Sequence, residues 1–354
     1  MSIQTLFNPF EYKNLTLKNR FVMAPMTRAF STDGIPDSAV AGYYERRAAG
    51  DVGLILTEGT VIERPSSKNL KDIPNFYGDQ ALAGWKNIVD AVHEKGGKIA
   101  PQLWHVGYTP MQWTPPAAFE SPDTMTLADI EATIQAYADA AKSAKDLGFD
   151  AFEIHGAHGY LIDQFFWDGM NHRTDEFGGK TIKERSKFAV EVVKAMRKAV
   201  GPDFVIILRL SQWKQQDYTA KLAPTPAAME DWILPLTDAG VDIFHGSQRR
   251  YWEPEFEGSD LNFAGWLKKI SGQPTITVGS VGLDKDFGDV FTNSEFKSSP
   301  ASLDELVRRY ERGDFDLVAV GRAILQDRNW VKKVQAEKYN KLSTFEAKSL
   351  ASLS

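Results

Sequence analysis

Short apolar runs alternate along this chain with longer segments in which apolar residues recur every three or four positions. In 79–94, for example, Leu82, Trp85 and Ile88 fall on one helical face, and the glycines at 96–97 end the pattern. The repeating pattern predicts helices at about 38–49, 79–94, 127–147, 182–200, 226–239 and 303–312, with a further helix beginning near 329. The uninterrupted apolar runs predict strands at 21–27, 52–59, 98–105, 150–154, 204–210, 241–245, 274–279 and 316–321.

Eight strands that alternate with helices indicate an α/β fold with a parallel sheet. Because the strands are apolar on both faces, a closed barrel fits better than an antiparallel sheet. We therefore predict a single (β/α)8 TIM barrel over residues 1–354, with a core at about 20–335 and the active site at the C-terminal ends of the strands. The polar stretch 284–300 is predicted to be a surface excursion, and the tail 340–354 has no assigned role.

Composition narrows the classes of protein that this chain can represent. A net charge of −6 without a basic cluster does not suit a nucleic-acid partner. Since there is no apolar run of membrane-spanning length and no signal-peptide pattern at the start, we expect a cytoplasmic protein that does not bind membranes. The absence of cysteine removes thiolate catalysis and cysteine-ligated iron–sulfur clusters. Any redox chemistry here requires a bound organic cofactor.

Unusual polar residues follow the predicted strand 150–154. His155 and His158 are spaced to converge on one small acceptor, and Tyr160, two positions later, can hold a proton beside it. This equipment suits the polarisation of a carbonyl and the protonation of its neighbour. With Asp163 nearby, the same two histidines are also compatible with a metal site or with a purely structural pair. Other distinctive residues at predicted strand ends are Pro25, Thr27, Gly59, Gln102, Trp104, Arg209, Gly279, Gly321 and Arg322.

Four segments carry a family resemblance. Residues 19–28, 155–165, 171–179 and 320–322 read N-R-F-V-M-A-P-M-T-R, H-G-A-H-G-Y-L-I-D-Q-F, N-H-R-T-D-E-F-G-G and V-G-R. The chain resembles the old yellow enzyme family of flavin ene-reductases, with the motifs in the expected order from about residue 6 to residue 332. The resemblance implies a TIM barrel that holds FMN non-covalently, takes electrons from NAD(P)H and reduces activated alkenes or nitro compounds in a ping-pong cycle.

The resemblance also assigns roles to individual residues. Around the isoalloxazine ring it places Ala24, Pro25, Met26, Thr27, Gly59 and Gln102, with the Thr27 hydroxyl at the O4 edge and Arg209 at the N1/O2 edge. The phosphate would be held by the Arg322 side chain and by backbone amides near Gly279, Ser280, Gly321 and Arg322. The substrate oxygen would be bound by His155 and His158, the α carbon protonated by Tyr160, and the pocket walled by Trp104.

Two departures and several alternatives accompany this resemblance. Residues 279–282 read G-S-V-G instead of adjacent glycines, and Ala323 stands where a proline is common beside Arg322. His105 and His245 are interpreted as structural rather than pocket-edge residues, and Trp213 as a core or interface residue. The competing hypotheses are a metal-dependent barrel hydrolase or aldolase that uses His155 and His158 as ligands, and a flavin-binding sensor without turnover. The sequence allows either a monomer or a homodimer.

Overall fold

Eight parallel strands close into a barrel in the computed structural model, which describes residues 2–111, 113–288, 290 and 293–354. The barrel strands are β3 (Phe21–Met23), β4 (Leu54–Val61), β5 (Ile99–Trp104), β6 (Ala151–His158), β7 (Val205–Lys214), β8 (Ile243–Ser247), β9 (Thr275–Val278) and β11 (Leu317–Val320). Two small antiparallel pairs lie outside it, β1 (Phe10–Tyr12) with β2 (Leu15–Leu17) and β10 (Lys297–Ser298) with β12 (Phe345–Glu346). The predicted TIM barrel is confirmed.

The helices surround the barrel, and several of them begin at a capping residue. The Asp37 carboxylate accepts from the backbone amides of Ala39 and Val40 at the start of the first helix, and Thr126 forms a capping box with Asp129 at the third. The helices are α1 (Ser38–Ala49), α2 (Asp79–Glu94), α3 (Leu127–Asp146), α4 (Leu161–Phe166), α5 (Ile182–Arg185), α6 (Lys187–Val200), α7 (Pro226–Ala239), α8 (Phe263–Ser271), α9 (Asp304–Arg312), α10 (Arg322–Gln326) and α11 (Trp330–Gln335). No helix in these ranges is both long and apolar enough to cross a membrane.

The barrel is filled by side chains and closed at its amino-terminal end. Buried aliphatic residues from successive strands, such as Leu54, Val205 and Ile276, form one interior cluster. Phe10, Leu15 and Leu17 of the β1–β2 hairpin belong to the same cluster, so the hairpin covers this end of the barrel. The opposite, carboxyl end remains the place where loops and polar side chains meet.

Strand β6 is longer than the sequence pattern predicted, and this moves the two histidines. The prediction ended the strand at 154, but pairing with β7 continues through His155 opposite Arg209 and His158 opposite Lys214. Both histidines therefore lie on the strand rather than just beyond it. The pattern ended too early because the residues beyond 154 are polar, whereas cross-strand hydrogen bonding with an equally extended β7 maintains the strand.

Three helices and one helix break were also absent from the prediction. Helices α4, α8 and α10 were not predicted, and the single helix expected over 182–200 is divided at Ser186. The Ser186 hydroxyl donates to the carbonyl of Ile182, and the Arg185 guanidinium bonds the carbonyls of Phe166 and Lys180. These side-chain bonds to backbone carbonyls accompany the break between α5 and α6.

The tail 340–354 packs onto the stretch 284–300 and then onto α1. Strands β10 and β12 join the two segments, so the predicted surface excursion is in part covered; its positions 289, 291 and 292 lie outside the described residues. Beyond β12, the Arg28 guanidinium donates to the carbonyls of Leu350 and Ser352 at 3.0 and 2.6 Å. Arg46 and Arg47 bond the carbonyls of Leu353 and Ser354.

We predict that Arg28→Gln releases the tail. Loss of two charge-assisted hydrogen bonds from this buried guanidinium should lower the free energy of unfolding by about 3 kcal/mol or more, because each such bond contributes about 1.5–3 kcal/mol. Denaturant unfolding measures the stability, and limited proteolysis measures exposure of 347–354. Arg20→Gln is the matched control, since the Arg20 guanidinium also donates to two carbonyls, those of Asn8 and Pro9. It should destabilise the protein without exposing the tail. A tail equally protected in Arg28→Gln and in the wild type would contradict the prediction.

Candidate active site

Four of the predicted site residues form one aromatic group at the carboxyl end of the barrel. The Trp104 and His155 rings stack with centroids 5.8 Å apart. Tyr160 packs edge-on against both, with centroids 4.7 Å from Trp104 and 5.0 Å from His155. His158 meets His155 edge-on at 5.1 Å. The structure thus brings together the side chains from the ends of β5 and β6 that the sequence placed at one site.

A strained turn presents these rings. His158 has a φ of +67° and Gly159 a φ of +80°, so two consecutive residues adopt the left-handed region that side chains other than glycine rarely occupy. The Asp163 carboxylate accepts from the Gly159 amide at 2.6 Å, and the Ser211 hydroxyl accepts from the His158 amide at 2.9 Å. These bonds hold the turn in place between β6 and α4.

A fully buried ion pair fixes Asp163 itself. Lys214 Nζ lies 2.8 Å from Asp163 Oδ1, and both side chains have no exposed surface. Burial raises the pKa of Asp163 to about 6 and lowers the pKa of Lys214, while their mutual attraction opposes both shifts. Lys214 also donates to the carbonyls of Ser211 and Gln212. The pair therefore connects the turn at His158 and Gly159 to the extended end of β7.

The two histidines are neutral donors. Burial, together with the positive charge of Arg209, holds the pKa of His155 and of His158 well below the usual value. The Ala157 amide donates to His155 Nδ1 at 3.4 Å, which places the proton of the neutral ring on Nε2. His158 Nε2 lies 2.8 Å from the Ser247 hydroxyl, which also accepts from Arg209 at 3.4 Å. If the Ser247 hydroxyl donates to His158 Nε2, the proton of the neutral His158 ring is on Nδ1.

Tyr160 keeps its proton. Its burial raises the pKa to about 12, so the phenol is un-ionised near neutral pH. Gln215 Nε2 donates to the phenol oxygen at 3.0 Å, and this leaves the hydroxyl hydrogen free for another acceptor. The backbone amide of Gln215 also donates to the His158 carbonyl at 3.2 Å. Gln215 was missed by the sequence analysis because its position depends on the extension of β7 beyond the predicted end.

Trp213 is buried, as its interpretation as a core or interface residue expects, and it also packs against the candidate site. Its indole stacks on His158 with centroids 4.5 Å apart and on Tyr218 with centroids 5.5 Å apart. The Arg249 guanidinium lies 4.6 Å from the Tyr218 ring centroid. These residues form a second wall that runs from the histidines towards the surface. It was missed because β7 was predicted to end at 210, before the tryptophan.

Glycine at position 59 makes room for the pocket wall. A Cβ atom at Gly59 would lie 2.4 Å from Trp104 Cε3, closer than any real contact. The Trp104 indole thus occupies the space that a Gly59 side chain would fill. The predicted contact of Gly59 with an isoalloxazine ring can therefore be made only by its backbone atoms.

The loop after β3 is held by a buried carboxylate. Glu58 Oε2 accepts from the amides of Arg28 and Ala29 at 2.8 and 2.9 Å, and burial raises the pKa of Glu58 to about 7. Ala24 is buried, Pro25 and Met26 are half-buried and Thr27 is exposed. A Cβ atom at Gly321 would be 3.4 Å from Met26 Sδ. The predicted ring-binding loop and the predicted phosphate-binding end of β11 are thus neighbours.

A polar floor lies on four adjacent strands. Gln102 Nε2 donates to Glu153 Oε1 at 2.7 Å, and His245 Nδ1 lies 2.6 Å from Glu153 Oε2. Arg209 is opposite His155 on β6 and opposite His245 on β8. Within the described chain, Arg209 Nε and His245 Nε2 are buried without a hydrogen-bond partner. Unsatisfied buried groups of this kind call for a polar ligand.

At the predicted phosphate-binding ends of β9 and β11, the Arg322 side chain bonds the protein backbone. Gly279 has a φ of +136° and Ser280 a φ of +54°, and the Ser280 hydroxyl donates to the Arg249 carbonyl at 2.9 Å. The Arg322 guanidinium donates to the carbonyls of Asp286 and Lys285 at 2.9 and 2.6 Å. The side chain of Arg322 therefore supports the loop after β9 in this state.

The N-H-R-T-D-E-F-G-G motif at 171–179 braces a neighbouring loop. Arg173 donates to the carbonyls of Pro122 and Met125, and His172 bonds the Asp123 carboxylate. These contacts fix one end of the proline-rich segment after β5. Fully buried His105 fixes the same segment by bonding Glu120 at 2.7 Å, which agrees with its structural interpretation.

The geometry gives little support to the metal hypothesis. Asp163, the nearest further ligand in the sequence, is bonded to Lys214 and to the Gly159 amide. In the described ranges, no group of three or more histidine, cysteine, aspartate or glutamate side chains is arranged to hold a metal ion.

A family model described as the NADH:flavin oxidoreductase / NADH oxidase family matches residues 5–297. The chain belongs to this family, that of the old yellow enzymes. It is 38% identical over 346 residues to 12-oxophytodienoate reductase 1 of Oryza sativa subsp. japonica, covering 88% of this chain and 89% of the relative. It is 32% identical over 361 residues to the NADH oxidase of Thermoanaerobacter brockii, covering 95% of this chain.

The match does not always extend over the whole relative. This chain spans 52% of the Thermoanaerobacter NADH oxidase. It spans 57% of 12-oxophytodienoate reductase 7 of Oryza sativa subsp. japonica. The two are 37% identical over 228 residues, and 57% of this chain is covered.

Solved structures support the same family fold. Morphinone reductase in complex with tetrahydroNAD superposes with a TM-score of 0.74 and 27% identity, covering 94% of this chain and 90% of that one. The old yellow enzyme homologue from Zymomonas mobilis gives a TM-score of 0.79 at 23% identity, covering 98% and 96%. The second likeness concerns the fold alone.

We predict that Lys214→Met destabilises this old yellow enzyme relative and disorders its catalytic turn. Removing one partner of a buried ion pair leaves the other charge uncompensated and should lower the free energy of unfolding by about 3–5 kcal/mol. Lys71→Met is the control, because Lys71 pairs with Asp33 at 3.0 Å while both side chains are exposed. Its loss should leave the stability nearly unchanged, because exposed ion pairs contribute little. Equal urea midpoints for the two variants would show that the Lys214–Asp163 pair has no such role.

Proposed function

We propose that this chain is an FMN-dependent NAD(P)H oxidoreductase that reduces activated C=C bonds, as in enones, maleimides and nitroalkenes. The observation that carries the proposal is the convergence of two neutral imidazoles and one un-ionised phenol, with His155 5.0 Å from Tyr160 and 5.1 Å from His158 between ring centroids. Two donors beside a proton source are what an α,β-unsaturated carbonyl requires for reduction.

The residues present fit a flavin. The unpartnered Arg209 Nε offers a buried donor to the anionic edge of the ring. The Thr27 hydroxyl is proposed to lie at its opposite edge. Bound FMN would supply hydride transfer, from NAD(P)H to the β carbon of the alkene. The residues proposed to hold it are Ala24, Pro25, Met26, Thr27, Gly59, Gln102, Arg209, Gly279, Ser280, Gly321 and Arg322.

His155 and His158 would act on the substrate oxygen. With its proton on Nε2, His155 donates a hydrogen bond to the carbonyl or nitro oxygen, and His158 adds a second donor from Nδ1 when Ser247 donates to its Nε2. Because both rings are neutral and already fixed by packing, they stabilise negative charge that develops on that oxygen without reorganising.

Tyr160 would supply the proton to the α carbon. Its hydroxyl hydrogen is free because Gln215 donates to the oxygen. Trp104 on one side and Trp213 on the other would confine a flat substrate between the two walls.

The relatives support the same chemistry. The names of the relatives describe an oxidase that uses NADH and reductases of 12-oxophytodienoate, and the morphinone reductase structure holds a nicotinamide analogue. We infer that NAD(P)H uses the pocket that the alkene later occupies, so that the two half-reactions follow each other in a ping-pong cycle.

We predict that Tyr160→Phe separates the two half-reactions. The variant should bind FMN and be bleached by NADPH at the wild-type rate, while its reoxidation by cyclohexenone should fall by about 10²-fold or more, the usual contribution of a general acid. Stopped-flow absorbance follows both steps. Tyr12→Phe is the control, since Tyr12 lies in the hairpin at the opposite end of the barrel and its hydroxyl also bonds a glutamine, Gln273, at 2.8 Å. Both of its rates should be unchanged.

Two results would count against these assignments at different levels. Wild-type protein that carries no flavin after reconstitution, or whose flavin NADPH does not reduce, would refute the proposed function and favour a sensor or another activity. An unchanged reoxidation rate in Tyr160→Phe would remove Tyr160 alone as the proton donor.

We predict that the reoxidation rate by cyclohexenone is independent of pH between about 8 and 10, above the pKa values of about 6 and 7 to which burial raises Asp163 and Glu58. A general acid is lost as pH rises through its pKa, and for Tyr160 that pKa is raised to about 12. Neutral imidazoles become charged as pH falls through their pKa, which burial holds well below the usual value for both histidines, so both stay neutral in this range. Stopped-flow rates across this range test the prediction. A transition centred near pH 10 would show that the tyrosine titrates as it would in water.

A further inference from the structure

Glu153 is a buried carboxylate in the middle of β6 that the proposed reaction leaves without a role. Its side chain has no exposed surface. It lies opposite Gln102 of β5 in the strand register, and its two oxygens are 2.7 Å from Gln102 Nε2 and 2.6 Å from His245 Nδ1. It therefore connects β5, β6 and β8 in the polar floor of the candidate site.

The hydrogen bonds of Glu153 fix the direction of both partners. An ionised carboxylate only accepts, so Gln102 must donate from its amide nitrogen and direct its carbonyl oxygen elsewhere. Burial lowers the pKa of His245 and keeps its ring neutral, so the ring carries a single proton. That proton lies on Nδ1, the nitrogen that contacts the Glu153 carboxylate. Its Nε2 is then an acceptor, and among the described residues it has no partner. Two acceptors, Gln102 Oε1 and His245 Nε2, are thus fixed in place by one acid.

Glu153 also acts on Arg209 through space. Burial lowers the pKa of Arg209, and attraction to Glu153 is the largest of the effects that oppose this change. The hydrogen bond of Arg209 is to the Ser247 hydroxyl, at 3.4 Å, so the two charges influence each other without a direct bond in the described structure. The positive charge that Arg209 offers to a ligand is accordingly weakened by a negative charge nearby.

We propose that Glu153 is a positioning residue that sets the reduction potential of the bound flavin, by orienting the Gln102 amide and by offsetting the charge of Arg209. The inference rests on the proposed function, since it requires the flavin to lie against Gln102 and Arg209. The reduced flavin carries more negative charge at that edge than the oxidised form does. A carboxylate in the floor therefore disfavours reduction, and the wild-type potential is held lower than Arg209 alone would make it.

The test is the midpoint potential of the reconstituted holoenzyme, measured by equilibration with a reference dye. Glu153→Gln keeps the size of the side chain and removes its charge, so it should favour the reduced flavin by tenfold or more, which is a positive shift of about 30 mV for two electrons. The visible absorption band should also shift, because the Gln102 amide is no longer held by a charged acceptor. Glu153→Asp retains the charge and should not show the positive shift.

A matched control lies at the other end of the barrel. Asp242 precedes β8, is buried and is ion-paired with Arg197 and, at 2.6 Å, with Lys13. Asp242→Asn removes a buried paired carboxylate that bonds Lys13, Arg197 and the Ile206 amide and no residue of the polar floor, and the potential should equal that of the wild type. Glu153→Met removes the same charge with an apolar side chain and replaces Glu153→Gln if the latter does not fold.

The outcomes separate the two levels of inference. Flavin bound to a charge-neutral Glu153 variant at an unchanged potential overturns the role of Glu153 and leaves the proposed function intact. An equal shift in Glu153→Asp or in Asp242→Asn overturns it as well, because packing rather than charge would then be responsible. Failure of the wild-type protein to bind flavin overturns the proposed function itself.

Discussion

The ion pair between Lys214 and Asp163 is the interaction on which the geometry of the candidate active site depends. Neither side chain reaches solvent, so each charge is tolerated only because the other is 2.8 Å away. The pair holds the Gly159 amide and, through it, a turn in which His158 adopts a left-handed backbone. The same turn leads the chain from His158 to Tyr160, whose ring packs against His155 with centroids 5.0 Å apart. The buried hydrogen bond from the Gly159 amide to Asp163 holds the turn in this strained conformation, because water does not compete for it.

The same solution recurs around the barrel mouth. Glu58 fixes the loop after β3 by accepting from two backbone amides, Glu153 fixes the floor by accepting from Gln102 and His245, and Asp163 fixes the turn after β6. Each carboxylate is buried, and each arranges groups that would face a ligand. Burial makes these bonds strong because little water competes for them, and it also makes an unsatisfied partner costly. A site built in this manner is preorganised before any ligand arrives.

The sequence predicted the parts of this arrangement that depend on local pattern. The bounds of α1, α2 and α7 agree with the predicted ranges, since caps such as Asp37 and the Thr225–Pro226 start are visible in the sequence. His155, His158 and Tyr160 were grouped by their spacing within one segment, and Trp104 joined them through its place at a strand end and through the family resemblance. Glu153, Trp213, Ser247 and Gln215 were not found, because each depends on which residue of a neighbouring strand lies opposite it. An apolar run does not encode that register, and the polar extensions of β6 and β7 concealed it.

The charge state of the site suits the neutral substrate that we propose. Arg209 is a buried cation, and burial together with its positive charge keeps both histidines neutral. In the proposed reaction, negative charge that develops on a bound carbonyl oxygen would meet hydrogen-bond donors that are already oriented. Donors of this kind stabilise the transition state more than the uncharged ground state, and that difference accelerates a reaction.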